Sequence, residues 1–196
     1  MIVNAAMFAV EFSAGHRAES ASLLADAIDF LGDAANYAVS LFALTLGAVW
    51  RSRTALLKGI TMGCYGLLVL GRVAWGAIEG GLPHATTMGI VGLLALIANV
   101  AVAALLFAYR EGDANMRSVW LCSRNDAIGN IAVVCAAFAV SLTGSLWPDL
   151  AVALVMAILA VTASRSVIRQ SLNELATRAH PVVLKSQAGG RQGHRS

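Results

Sequence analysis

The sequence predicts an all-α, polytopic membrane protein: a bundle of six transmembrane helices with both termini in the cytoplasm. Of its 196 residues, 58% are hydrophobic and only 13% are charged, whereas a soluble domain carries about 25% charged residues. The apolar residues form six long runs, and basic residues gather at alternate ends of these runs. This composition argues against a disordered chain, a nucleic-acid-binding domain and a disulfide-stapled module.

The six apolar runs are long enough, or nearly so, to cross a bilayer, because about 20 helical residues span its hydrocarbon core of about 30 Å. They are residues 2–15, 21–49, 56–80, 86–109, 117–143 and 147–168. The first run is short; Glu11 interrupts it and no positive segment precedes it, which argues against a signal peptide. The predicted polar breaks are residues 16–19, 51–53, 80–84, 110–115 and 143–145.

The basic residues predict the orientation, since short cytoplasmic loops carry an excess of Lys and Arg. One set of helix ends carries Arg51, Arg53, Lys58, Arg110, Arg117, Arg165 and Arg169. The opposite set has only Arg17 in a loop. We therefore expect a multi-pass protein of the inner (plasma) membrane, with residues 1–176 as its six-helix transmembrane domain. Residues 177–196 hold four basic residues and no acid, and are expected to form a basic, disordered cytoplasmic tail.

Three aspartates, Asp26, Asp29 and Asp33, interrupt the second run. A carboxylate at the centre of a spanning helix costs about 2.5–3.5 kcal/mol on the insertion scale. Their spacing of i, i+3 and i+7 places all three on one face of the helix. An acidic stripe within a membrane segment predicts a functional site.

The fifth run carries a matching pair, Cys122 and Asp126, which lie four residues apart and share a helix face. At a rise of about 1.5 Å per residue, Asp33 lies roughly 18 Å from the outer surface and Asp126 roughly 14 Å from the inner surface. In a slab of about 30 Å these depths nearly coincide. Asp29, Asp33, Cys122 and Asp126 are therefore expected to meet near the midplane.

Three carboxylates and a thiol suit a four-coordinate divalent metal, with the sulfur favouring Zn or Cd over Mg and Ca. Clustered carboxylates in a low dielectric cannot all stay ionised, so they bind protons when the metal is absent and release them when it arrives. The sequence thus predicts a secondary transporter whose substrates are protons and a divalent cation: Zn, Cd or Co. We expect no cofactor, and no enzyme activity, because the spans contain no nucleophile–His pair.

Other interpretations of these residues stay open. Asp29, Asp33 and Asp126 would alternatively pair with Arg124 or form a pure proton relay. Asp26 would either support the metal site or form an ion pair with Arg72. Without Asp126 four residues later, Cys122 would be interpreted as a small hydrophobic residue buried in the bundle.

Glu11 in the first run would either relay protons or form a buried hydrogen bond to a neighbour such as Asn4. The rival to a transporter is a non-transporting membrane subunit or sensor, whose intramembrane acids are structural or relay protons.

Residues 22–33 and 115–130 resemble the second-helix and fifth-helix motifs of the cation diffusion facilitator family of metal/proton antiporters. In that family a His or Asp is followed four residues later by Asp in the second helix, and His followed by Asp is usual in the fifth. The resemblance covers residues 1 to about 176. Supporting similarity lies at Asn4, Glu11, Glu79, Asn99 and residues 147–149.

The resemblance implies a six-helix transporter that moves zinc or a similar divalent cation out of the cytoplasm against protons, commonly as a homodimer in the lipid bilayer. It assigns the transport site to Asp29, Asp33, Cys122 and Asp126. Cys122 stands where the family usually has His, which bears on metal preference. The family's first helix is expected either to be shortened or to start upstream of Met1, and its cytoplasmic C-terminal metal-binding domain is not expected here.

Overall fold

The computed structural model describes residues 1–43, 48–107 and 114–179. Within these ranges it describes all side chains except those of residues 39–43, 48, 51, 106, 114–124, 178 and 179. The described chain forms six helices, which confirms the all-α prediction. They are α1 (Ile2–Arg17), α2 (Ala21–Ala43), α3 (Ala48–Glu79), α4 (Ala85–Phe107), α5 (Ala114–Thr143) and α6 (Trp147–Ala179).

The predicted break at residues 51–53 is wrong, because this stretch belongs to the first turns of α3. Arginine does not interrupt a helix, and its long side chain can carry the charge to the membrane surface. Ser52 between the two arginines is buried, and its hydroxyl donates to Glu174 Oε2 at 2.6 Å. The start of α3 therefore packs against the last part of α6 instead of forming a loop.

The sixth helix is longer than its apolar run predicts, since α6 continues to Ala179. Residues 177–179 of the predicted tail are therefore helical. The prediction of disorder for residues 180–196 lies outside the described part of the chain.

At the other end of the bundle, Asp149 in the first turn of α6 caps the start of α2. Its carboxylate is fully buried and accepts the backbone N–H of Ala21 at 2.7 Å and that of Ser22 at 3.0 Å. The Ser20 hydroxyl donates to the same carboxylate at 2.8 Å. A negative group at a helix N-terminus satisfies free N–H donors and complements the helix dipole, so this contact joins α2 to α6.

Glycines let α3 approach α6 closely. A Cβ added at Gly59, Gly63 or Gly66 would lie 2.9, 2.5 or 2.9 Å from an atom of α6. The Ser164 hydroxyl of α6 crosses this seam and donates to the Gly59 carbonyl oxygen at 2.7 Å. Small residues at a helix contact are typical of membrane proteins, where close van der Waals packing and interhelical hydrogen bonds drive association.

The polarity of the bundle is that of a protein surrounded by lipid. Large apolar side chains face outward, including Ile78 at 82% exposure, Leu105 at 73% and Leu142 at 70%. The interior combines an apolar core, which includes Leu23, Met88 and Val133, with buried polar and charged side chains: Asn4, Glu11, Ser20, Ser22, Asp26, Ser52, Asn99, Asn130, Asp149, Ser164 and Ser171. A water-soluble fold almost never buries acids fully unless they are paired.

Four helical stretches of the described residues are long and apolar enough to cross a membrane: Ser52–Glu79, Ala85–Leu105, Asn125–Thr143 and Trp147–Thr177. The first two helices differ from these four for physical reasons. α1 has only 16 residues, and α2 carries three aspartates. α2 nevertheless lies at the centre of the bundle, because it contacts each of the other five helices.

The glycine seam generates a stability prediction. Gly63→Ala is expected to weaken the bundle by about 1–3 kcal/mol, the usual cost of overpacking, because its Cβ would collide with Ser164 Oγ. The readout is the apparent melting temperature in detergent. The matched control is Gly71→Ala in the same helix, where a Cβ meets nothing within 4 Å. Equal melting temperatures of the two variants would contradict this account of the seam.

Candidate metal centre

Two helices bring three of the predicted site residues together. Asp29 and Asp33 project from α2, and Asp126 projects from α5. The carboxyl groups of Asp33 and Asp126 lie close enough to interact directly, and Asp29 lies close enough to interact electrostatically with both. Carboxyl groups this close disfavour one another's ionisation, so a shared proton or a bound cation stabilises them.

Asp33 is held from two further helices. The Asn4 side-chain amide of α1 donates to Asp33 Oδ2 at 3.3 Å. The Lys58 ammonium group of α3 attracts the same carboxylate electrostatically. Asp33 is therefore positioned by an amide and a cation, whereas Asp126 Oδ2 is buried without a hydrogen-bond partner among the described residues.

Asp29 and Asp126 line a cavity of about 980 Å³ bounded by α2, α3, α5 and α6. Its polar lining also includes Asn125 and Thr162, and Met62 contributes a thioether; most of the remaining lining is aliphatic. The cavity gives the two carboxyl groups open space on one side. An unsatisfied carboxyl oxygen beside such a space is suited to receive a cation.

The fourth predicted ligand, Cys122, lies in α5, but its side chain is outside the described residues, as is that of Arg124. Among the described side chains, no group of three or more His, Cys, Asp and Glu residues is arranged to hold a metal ion. The set of four ligands therefore stays a prediction. The predicted alternative of an ion pair to Arg124 is likewise untested.

Asp26 belongs to a second cluster of buried polar side chains, which α1, α2, α4 and α5 contribute. The Asn130 side-chain amide donates to Asp26 Oδ2, and the Asn99 amide donates to Asn130 Oδ1 at 2.8 Å. The alternative prediction of an Asp26–Arg72 ion pair is wrong. Arg72 instead donates to the backbone carbonyl of Glu19 at 3.5 Å, near the end of the bundle.

Glu11 of α1 is fully buried, its carboxyl group lies close to that of Asp26, and neither of its carboxyl oxygens has a hydrogen-bond partner among the described residues. The alternative of a hydrogen bond from Glu11 to a neighbour such as Asn4 is therefore wrong, and the Asn4 amide donates to Asp33 instead. Sequence reasoning also missed Asn130 as the partner of Asp26. The available signal was its position four residues after Asp126 on the same face of α5.

Comparison with known proteins gives a family match and a curated relative. A family model described as the cation efflux transmembrane domain matches residues 1–176. Among curated proteins, the cadmium, cobalt and zinc/H(+)-K(+) antiporter of Bacillus subtilis (strain 168) is 24% identical over 180 residues. The alignment covers 85% of this chain and 58% of that antiporter, so the chain spans little more than half the length of this relative.

The contact between α2 and α5 generates a cross-linking prediction. Asp33→Cys and Asp126→Cys, combined in one chain, are expected to form a disulfide or to be bridged by Hg²⁺, because their side chains meet in the structure. The measurement is the electrophoretic shift of a chain cut between the two helices. The background thiols Cys64, Cys122 and Cys135 are first replaced by serine.

The matched control combines Asp33→Cys with Ile128→Cys. Ile128 lies two residues from Asp126, at nearly the same depth, but is 57% exposed on another face of α5. Equal cross-linking of both pairs, or cross-linking of the control alone, would contradict the described site.

Proposed function

Since the chain belongs to the cation efflux family, we propose that it is a secondary transporter that exports a divalent metal cation, Zn²⁺ or Cd²⁺, from the cytoplasm in exchange for protons. Members of this family are metal cation transporters and not enzymes. The ion, the proton exchange and the inner-membrane location belong to the proposal. So do the six spans, the cytoplasmic termini and a homodimeric assembly.

The observation that carries the proposal is the contact between Asp33 and Asp126 across α2 and α5, with Asp29 beside them. Three acids in a lipid-embedded bundle are costly unless something neutralises them. The Lys58 ammonium group attracts Asp33, and protons or a dication can neutralise the remaining charge by binding directly to the carboxyl oxygens. Because they compete for the same oxygen atoms, binding of one releases the other.

The proposed cycle follows from that competition. A cytoplasmic cation enters the cavity and displaces protons from the acids of α2 and α5. The bundle then opens to the opposite side, where protons displace the cation. Each proton that enters down a potential of 100 mV supplies about 2.3 kcal/mol, which adds to any pH gradient in driving release.

Basic residues near one end of the bundle support the orientation. Ser52 meets Glu174 at one end, and the basic residues Arg53 and Lys58 of α3 follow Ser52 along the chain. Arg165 and Arg169 of α6 lie near the same end. By the excess of positive charge in cytoplasmic segments, this end is assigned to the cytoplasm.

The choice of ion rests on ligand chemistry. Cys122 lies one helical turn before Asp126, and a thiolate with carboxylates favours Zn or Cd over Mg or Ca. The Bacillus relative is named as an antiporter of cadmium, cobalt and zinc, and this class of ion fits these ligands.

The second candidate function is a non-transporting subunit or sensor with structural acids. The hydrogen bonds that join Asp26, Asn130 and Asn99 favour a structural role for that part of the polar core. They do not account for Asp33 and Asp126, whose carboxyl groups face each other without a donor between them. Metal transport by the purified protein separates the two functions.

Asp33→Ala and Asp126→Ala are each expected to abolish proton-driven zinc uptake into inverted membrane vesicles, because each removes half of the carboxyl pair. The measurement is radioactive zinc accumulation after an imposed pH gradient. The control is Glu79→Gln, which neutralises an acid near the membrane surface and should transport at the wild-type rate. Undiminished uptake by both alanine variants would defeat the proposal.

Cys122→His is expected to shift the preference of the site from cadmium towards zinc, since imidazole is a harder ligand than thiolate. The measurement is the rise in melting temperature with increasing Zn²⁺ or Cd²⁺, because a ligand at 100 times its Kd adds about 2.7 kcal/mol of stability. Cys135→His, at an exposed position further along α5, is the control and should leave the preference unchanged. An unaltered preference in Cys122→His would exclude Cys122 as a ligand.

A further inference from the structure

The buried carboxyl group of Glu11 has no assigned role in the cation site. Glu11 is 0% exposed, and neither of its carboxyl oxygens accepts a hydrogen bond from a donor group among the described residues. The carboxyl group of Asp26 lies close to it. An ionised carboxylate buried without a donor is among the most unfavourable groups in a membrane bundle.

The surrounding side chains fix which member of the pair is ionised. Asp26 accepts the Asn130 amide, and Asn130 is oriented by the Asn99 amide at 2.8 Å. A carboxylate that accepts an amide hydrogen bond is stabilised in its ionised form. Glu11 has no such donor among the described side chains. The favoured arrangement is therefore a neutral Glu11 that donates its proton to an ionised Asp26.

The other titratable groups facing the pair are acids of the cation site. Asp29, one turn further along α2, interacts electrostatically with both Glu11 and Asp26, and Asp126 of α5 interacts with Asp26. α4 contributes the neutral amide Asn99 to this group. The groups found to act on Glu11 and Asp26 are thus acids and amides.

We propose that Glu11 and Asp26 form a proton-binding site, separate from the cation ligands, that holds one proton when the cation site is empty and releases it when a dication binds. This inference rests on the proposed function, which supplies the dication. A bound dication brings two positive charges to Asp29 and Asp126 in place of the proton that Asp33 and Asp126 share, so the surroundings of the pair become less negative and favour ionisation of Glu11. Glu11 then loses its proton to water, and the nearby dication offsets the two negative charges of the pair.

The pair thereby adds one proton to those displaced from the ligands themselves. It also gives the transporter a proton site that the metal does not occupy. Glu11 and Asp26 are positioning and coupling residues in this scheme, and neither contacts the cation.

The test measures protons released per cation bound. Purified full-length protein in weakly buffered detergent receives ZnCl₂, and a pH-indicator dye reports the protons. Glu11→Gln is expected to release about one proton fewer per zinc than the wild type, because the introduced amide donates to Asp26 without a titrating proton. Zinc affinity should fall by no more than about tenfold, or roughly 1.4 kcal/mol, because the neutral glutamine, like a protonated Glu11, lacks the negative charge that favours the nearby cation.

Asp26→Asn tests the same pair from the other side. Its amide can donate to Glu11 and its oxygen can accept from Asn130, so the same loss of one proton is expected. Asp26→Asn also provides the test of the pair if Glu11→Gln fails to fold. Glu79→Gln, which removes an exposed acid, should release as many protons as the wild type.

Unchanged proton release in Glu11→Gln or Asp26→Asn would overturn the proposal. A loss of zinc affinity in Glu11→Gln as large as that in Asp33→Ala would also overturn it, because Glu11 would then act on the metal.

A metal-free measurement separates this proposal from the proposed function. The infrared carbonyl band of protonated carboxyl groups should be weaker in Glu11→Gln than in the wild type and in Glu79→Gln, without added metal. If the wild type binds no divalent cation, the proposed function fails, and the coupling of the pair to a cation fails with it. The infrared band still reports whether the pair holds a proton. An unchanged band in Glu11→Gln overturns the proton site itself.

Discussion

The central constraint on this protein is the need to neutralise carboxyl groups inside a bundle that lipid surrounds. The outward faces of the helices are Leu, Ile, Phe and Trp, and the interior holds Glu11, Asp26 and Asp149. Each of these acids would oppose folding if it stood alone. Asp149 is satisfied permanently by the first N–H groups of α2. The acids at the centre of α2 have no comparable set of donors among the described residues, which leaves them available for exchangeable partners.

The architecture separates fixed contacts from exchangeable ones. α3 and α6 are joined by a glycine seam and by the hydrogen bond from Ser164 to Gly59, a close contact that small residues permit. The contact between α2 and α5 is slight by comparison, and its described part is polar: Asn130 donates to Asp26 and Asp33 meets Asp126. A bundle that combines closely packed helix pairs with a slight, acid-lined contact can change that contact while it retains the others, which suits the proposed alternating access.

The helices were predictable from the sequence because a lipid environment imposes long apolar runs, and the six runs correspond to α1 to α6. The error at residues 51–53 arose because charge was read as a break, whereas helices are broken by glycine and proline. The meeting of Asp33 and Asp126 followed from helix rise and depth alone. The hydrogen-bond partners of Asp26 and Asn4 could not be predicted in this way. Helix rotation decides which of several polar neighbours a side chain reaches, and spacing along one helix leaves that rotation undetermined.

The position of the acids along α2 indicates how a cation and a proton can be coupled without sharing a ligand. Asp26, Asp29 and Asp33 follow one helix face, and Asp26 lies about 4.5 Å along the axis from Asp29 at a rise of about 1.5 Å per residue. At that separation, in a medium of low polarity, the charge on one group strongly alters the ionisation of the other. Asp29 interacts electrostatically with Asp26 on one side and with Asp33 and Asp126 on the other. In the proposed scheme, the three aspartates of α2 therefore join a cation-binding end, shared with α5, to a proton-binding end, shared with α1, and electrostatic repulsion along the helix links the two.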